Sequence, residues 1–229
     1  MLSFAISQQK IDKKSVVRQP HDKQGTLSRR AFDFNAAAVT LTVEGVNIHP
    51  GSAKNKMKNA ILLANQFISL LPAAEAPAHT EGYEGFYHVT DLAGNESQVV
   101  LHAIIRDHDL EKFNARKAFV ERLTAYLNDQ WGRGTFRLEM KDSYYNMAEK
   151  LADHMELVEN AKRACEQAGM KPFIEAVRGG TDGCRLSYMG LPTPNLCTGG
   201  FAFHGPYEHI AAESMDRCTK MVELLMIGE

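Results

Sequence analysis

The sequence predicts an α+β domain, a four-stranded antiparallel sheet with two helices on one face, followed by an α/β segment that is incomplete as a sheet. Two observations carry this. Between Ala38 and Lys141 the hydrophobic pattern runs strand, helix, strand, strand, helix, strand, the order of a two-layer unit. After Ser143 it changes to alternating helices and short strands, and two short strands cannot bury their own faces.

Ala38 to Gly45 is a strand of β-branched residues closed by a glycine turn. Lys54 to Leu71 places Met57, Ala60, Ile61, Ala64, Phe67, Ile68 and Leu71 at helical spacing, and Pro72 stops it. Tyr83–Val89 and Gln98–Arg106 are strands joined through the polar turn at Gly94-Asn95, Leu110–Leu127 is the second helix, and Arg133–Lys141 is the closing strand. In the tail the pattern predicts helix Lys150–Ala168, strand Phe173–Val177, helix Gly183–Met189, strand Pro194–Thr198 and helix Ser214–Ile227. Gln8 to Arg30 is polar, mixed in charge and without either period, so residues 1–31 are expected to be a loose arm, 32–142 a domain and 143–229 a separate segment.

With 229 residues, 44% hydrophobic and 24% charged, the chain has enough apolar side chains for a core. A net charge of -2 leaves no basic footprint, so nucleic acid is excluded as a partner. The apolar start, Met1 to Ile6, is broken by Gln8, Gln9 and Lys10 before it reaches the length of a signal core or a membrane span. Cys165, Cys184, Cys197 and Cys218 lack zinc-knuckle spacing and read as reduced thiols. Together these predict a soluble cytoplasmic protein with no membrane partner.

Four places carry groups suited to chemistry. The loop Gly199–His209 sets His204, Glu208 and His209 after a strand end, either as metal ligands with a supporting carboxylate or as solvated histidines. Arg178-Gly179-Gly180-Thr181-Asp182-Gly183, between a strand and a helix, either holds an anion or is a turn that needs glycine. His49, before Pro50-Gly51, stands in a turn leading to a helix. Arg106-Asp107-His108-Asp109 is either a ligand clamp or a solvated strand end in which Arg106 pairs with Asp107 or Asp109.

Seven blocks, in order, resemble the peptidase T family of M20 zinc metallopeptidases. They are Phe34-Asn35-Ala36-Ala37, Val46–Lys54, Thr80-Glu81-Gly82-Tyr83-Glu84-Gly85-Phe86-Tyr87-His88, Ile104–Asp107, Asp142–Met147, Arg178–Gly183 and the His204-Gly205 loop. The resemblance runs from about Phe32 to the end. It implies a cytosolic tripeptide aminopeptidase that uses two zinc ions, homodimeric through a lid domain inserted into a catalytic domain, with 32–142 as lid and 143–229 as the C-terminal part of the catalytic domain. It further implies His204 as a metal ligand with Glu208 behind it, His49 as an oxyanion donor acting in its own or a second subunit's site, and Arg106, Arg178 and Asn146 as substrate contacts. The implied reaction is attack on the first peptide bond of a small peptide by zinc-activated water.

The other ligand motifs that the resemblance calls for, a His-x-Asp strand end, an Asp-Asp-Lys helix start, a Glu-Glu pair containing the base and a Val-Asp-Gly-Gly segment, do not occur before Phe32. His21-Asp22 stands in the wrong context. The chain by itself is therefore expected to bind zinc weakly at most and to be inactive. The tail from Asn146 onward is expected to lack strand partners. The alternative function is a dimerisation or binding module derived from the lid, without catalysis.

Overall fold

Alternating burial along one ten-residue strand organises the first half of the described chain. The computed structural model describes residues 5–6, 26–196, 198–203 and 205–228, and for 5–6, 26–32, 173 and 175 the backbone alone. In chain order the elements begin with β1 (Ala5–Ile6), β2 (Thr26–Phe32), β3 (Asn35–Glu44), α1 (Ala60–Leu70), β4 (Phe86–Gly94), β5 (Gln98–Asp107), α2 (Leu110–Trp131) and β6 (Phe136–Tyr144). They continue with α3 (Ala148–Leu151), α4 (Met155–Gln167), β7 (Lys171–Ala176), α5 (Asp182–Tyr188), β8 (Asn195–Leu196), β9 (Gly200–Phe201), β10 (His209–Ile210) and α6 (Ala212–Ile227). The chain divides into two units, Asn35–Tyr144 and the combination of Met1–Phe34 with Tyr145–Glu229.

In the unit Asn35–Tyr144 the sheet order is β4-β5-β3-β6 and every pairing is antiparallel. Ala37, Val39, Leu41 and Val43 of β3 and Val99, Leu101, Ala103 and Ile105 of β5 are buried on one face, as the two-residue period of a half-covered sheet requires. Across that face α1 contributes Ala60, Leu63, Ala64 and Phe67, and α2 contributes Phe113, Val120, Leu123 and Leu127, to a single hydrophobic cluster. This is the predicted fold of a four-stranded antiparallel sheet with two helices on one face.

Helix α1 starts six residues later than its apolar spacing predicts. The cause is local: Lys58 bridges back to Val46 in an antiparallel pair, and the Asn59 side chain then caps the helix by accepting from the amides of Ile61 (3.0 Å) and Leu62 (3.2 Å). The single predicted helix from Lys150 is also divided, into α3, a 3-10 turn at Ala152–His154, and α4.

In the second unit the tail's short strands do have partners, contrary to expectation. The sheet order is β1-β8-β2-β7, with β1 parallel to β8, β2 parallel to β7 and β2 antiparallel to β8. The stretch Thr26–Phe32, expected to be part of a loose arm, is thus a strand whose order comes from remote backbone pairing. Helices α4 and α6 pack Ala161, Ala164, Cys165, Met221, Leu224 and Leu225 together with Met170 and Leu196, while Met215, Met226 and Ile227 of α6 are exposed.

Phe67 of α1 is 1% exposed within the cluster shared by the sheet and both helices. Replacing it with alanine is expected to lower the stability of this unit by about 3–5 kcal/mol, read as a fall in the urea midpoint followed by circular dichroism.

Candidate functional site

The turn between β7 and α5 is the most densely bonded of the predicted sites. Thr181 caps α5, its hydroxyl accepting from the Cys184 amide at 3.4 Å. That hydroxyl donates to Asp33 Oδ2 at 2.6 Å and accepts from Asn195 Nδ2 at 3.0 Å. The Cys184 thiol also donates to Asp33 Oδ2. Asp33, Cys184 and Asn195 are buried. Gly183 answers to close approach, because a Cβ there would lie 2.6 Å from both Asn195 Oδ1 and the Thr193 carbonyl. Burial first, and then the negative charge of Asp33, push the Cys184 thiol far up and keep it protonated.

Arg178 and Asn146 meet this network at neighbouring residues. The Arg178 guanidinium lies 5.4 Å from the Phe34 ring centroid, a cation–π arrangement that fixes the approach of the planar group. Asn146 Oδ1 accepts from the Asp33 amide at 3.1 Å and from Ala148 N at 3.0 Å, and its backbone carbonyl accepts from the Tyr188 hydroxyl at 3.2 Å. Its side-chain oxygen therefore ties segments of the chain together. Glu208 is exposed beside the β9–β10 hairpin, and His204 lies outside the described residues. His209 stacks on Phe201 with centroids 5.4 Å apart and its Nδ1–H donates to the Tyr207 carbonyl at 2.8 Å, so that imidazole is occupied in shaping the hairpin.

In the unit Asn35–Tyr144, His49 and Arg106 are far apart. His49 is exposed, and its Nδ1 accepts from the Gly51 amide at 3.1 Å, which leaves the proton of the neutral ring on Nε2, facing away from the turn as a donor. It follows the Glu44 end of β3. Arg106 pairs with Ala36 at the other end, roughly 25 Å away at the rise of a strand. Its Nη1 donates to the carbonyls of Ala37 (3.3 Å) and Ile105 (3.0 Å), and the guanidinium lies 5.3 Å from the Tyr144 centroid. Burial lowers the Arg106 pKa, with Tyr144 opposing that shift.

The sequence expectation that Asp107 pairs with Arg106 at a solvated strand end is corrected. Asp107 is 1% exposed and accepts from Arg116 Nε at 2.8 Å, while the same guanidinium holds Glu75. Asp107 Oδ1 also accepts from the Asp109 amide at 3.0 Å. A Cβ on Gly85 would collide with the Asp107 carboxylate, so this segment closes onto the pair only as glycine. The ion pair forms one wall of a cavity of about 360 Å³, also lined by His79, Thr80, Tyr83 and Glu84. Arg116 gave no signal in the sequence, since it belongs to no motif and stands nine positions past Asp107 on an ordinary amphipathic helix.

Among the described residues no group of three or more His, Cys, Asp or Glu side chains is placed to hold a metal ion. The described donor set does not fit a two-metal centre.

Two outcomes follow from these contacts. Asp107→Ala leaves the partly buried Arg116 guanidinium with Glu75 alone and is expected to cost about 1–3 kcal/mol, whereas Glu75→Gln, at a half-exposed carboxylate, is expected to cost under about 1 kcal/mol; urea denaturation of the two variants separates them. The Tyr188 phenol is pushed up to about 12, first by burial and then by the Glu149 carboxylate. The folded chain thus keeps this proton at a pH where the unfolded chain loses it, so stability is intact below pH 10, the ordinary phenol value, and falls as pH rises towards about 12. Tyr188→Phe is expected to reduce that alkaline loss in denaturation midpoints taken across the window.

Comparison with known proteins gives the lineage. The peptidase dimerisation domain of the M20 group matches residues 33–135. Peptidase T of Halothermothrix orenii is 52% identical over 190 residues, 83% of this chain and 47% of that protein. Peptidase T of Bacillus subtilis is 49% identical over 199 residues, 86% of this chain and 48% of that protein. The chain thus spans about half the length of the curated relatives it matches. The crystal structure of aminopeptidase PepT from Bacillus cereus superposes with a TM-score of 0.70 at 23% identity, over 88% of this chain and 55% of that one. A tripeptidase from Staphylococcus aureus gives 0.75 at 19% identity, over 87% and 53%. At these identities the two structures establish the fold, and the sequence relatives carry the kinship: the chain belongs to the peptidase T family.

Proposed function

We propose that the chain supplies the lid and part of the catalytic domain of a peptidase T-like aminopeptidase, a zinc-dependent cytoplasmic hydrolase of small peptides, and that its 229 residues alone do not hydrolyse them. The observation that carries the reading is identity of about one half to proteins named Peptidase T over more than four fifths of the chain. The described donors do not by themselves hold the metals. His204, the ligand implied by resemblance, remains the residue assigned to that task, with Glu208 close to it in sequence.

The chain's own residues take distinct roles. His49 offers Nε2–H to the developing oxyanion of the scissile carbonyl. Arg178 and Arg106 are the groups suited to a peptide carboxylate. An extended tripeptide spans roughly 10 Å, less than half the distance along β3 that separates His49 from Arg106. One copy of the unit Asn35–Tyr144 cannot bring both to the same ligand, and this favours a homodimer in which His49 serves the other subunit. Asn146, with its side-chain oxygen committed to two backbone amides, supports the site by holding the chain. No described helix is long and apolar enough to cross a membrane.

A second reading, a dimerisation module without catalysis, is favoured by the match of residues 33–135 to a dimerisation domain. Two measurements test the pair. The purified chain, supplied with zinc, is expected to release no amino acid from a tripeptide above the metal-only background; turnover that scales with protein concentration and is abolished by His49→Ala would overturn inactivity. Analytical ultracentrifugation is expected to give a dimer, and a monomer at all concentrations would remove both the shared site and the module.

A further inference from the structure

We infer that Asp33 is the positioning residue of the Arg178–Asp182 turn, a role resting on the reading of that turn as the ligand-facing element of this unit. A carboxylate that is 0% exposed is costly to bury and is kept where its hydrogen bonds organise other groups. One oxygen of Asp33 takes two donors, the Thr181 hydroxyl of the turn at 2.6 Å and the Cys184 thiol from the first turn of α5. These flank the start of α5, so both the cap of the helix and its first buried side chain are held at a single atom. The Asp33 amide is bound by Asn146 Oδ1 at 3.1 Å, and the next residue, Phe34, carries the ring against which the Arg178 guanidinium rests at 5.4 Å.

The turn is thereby gripped at both ends, at Arg178 through Phe34 and at Thr181 and Cys184 through the Asp33 carboxylate. Between them Gly179 and Gly180 have no Cβ to brace the backbone. Two consecutive glycines would otherwise sample many conformations; fixing the residues on either side is what gives Arg178 one direction of approach. What matters in this arrangement is an acceptor oxygen on the side chain that Asp33 provides. Asparagine in its place would present one at the same point, whereas alanine would leave the Thr181 and Cys184 donors unsatisfied.

The Cys184 thiol reports on the grip. Iodoacetamide labelling of the native chain, quantified for each cysteine by peptide mass spectrometry, reads the local opening that exposes it. Asp33→Ala is expected to raise the Cys184 rate about tenfold or more, while Asp33→Asn stays within about threefold of the parent and Cys165, buried between α4 and α6, is unchanged in both. Both substitutions remove the charge that raises the Cys184 pKa, so the difference between them isolates the acceptor. Equal acceleration in both, no acceleration in Asp33→Ala, or parallel acceleration of Cys165 would each overturn the inference. The labelling needs neither metal nor substrate, so its outcome stands apart from that of the peptidase assay.

Discussion

The backbone ladder of β3 is the constraint on which the unit Asn35–Tyr144 depends. All ten residues of β3 pair with β5, from Asn35 opposite Asp107 to Glu44 opposite Gln98, and most also pair with β6. A strand bonded on both edges has one register, and a shift by one residue would turn Val39, Leu41 and Val43 out of the core. Everything placed by the sheet inherits that register. Asp107 is carried inward at the end of β5, where Arg116 meets it, and Arg106 is carried to the opposite face beside Tyr144. The spacing between Arg106 and His49 is a property of the same ladder.

Much of this unit was legible because its determinants are local. Alternation in Val39, Leu41 and Val43 and the spacing of Ala60, Ala64 and Phe67 specify faces that need no knowledge of what covers them. The start of α1 was not legible, since Met57 continues the helical spacing while the backbone of Lys58 is taken by Val46, and only the Asn59 cap marks the true beginning. Thr26–Phe32 was illegible for a stronger reason. Its order comes from pairing with β7, far along the chain, and a strand defined by its neighbour needs no period of its own.

The candidate site divides along the same line. Arg178 and its glycines stood out as a motif, and the structure gives the turn a cap and a network. Asp33 did not stand out, because an acidic residue at the border of a polar stretch reads as solvated until Thr181 and Cys184 are brought to it. The pairing of Asp107 with Arg116 rather than with Arg106 was hidden similarly: alternation along a strand sends neighbouring side chains to opposite faces, so the closest opposite charge in sequence is the one least able to reach.

The two ends of the unit Asn35–Tyr144 are themselves neighbours, Ala36 lying opposite Tyr144 in the sheet. To the rest of the chain, this whole stretch is geometrically a hairpin: it leaves and re-enters through adjacent antiparallel strands. A stretch whose ends are held one strand spacing apart adds little entropic cost to the closure of the chain it interrupts. The two boundaries of this unit, Phe34/Asn35 and Tyr144/Tyr145, accordingly fall at adjacent strand ends although more than a hundred positions separate them in sequence.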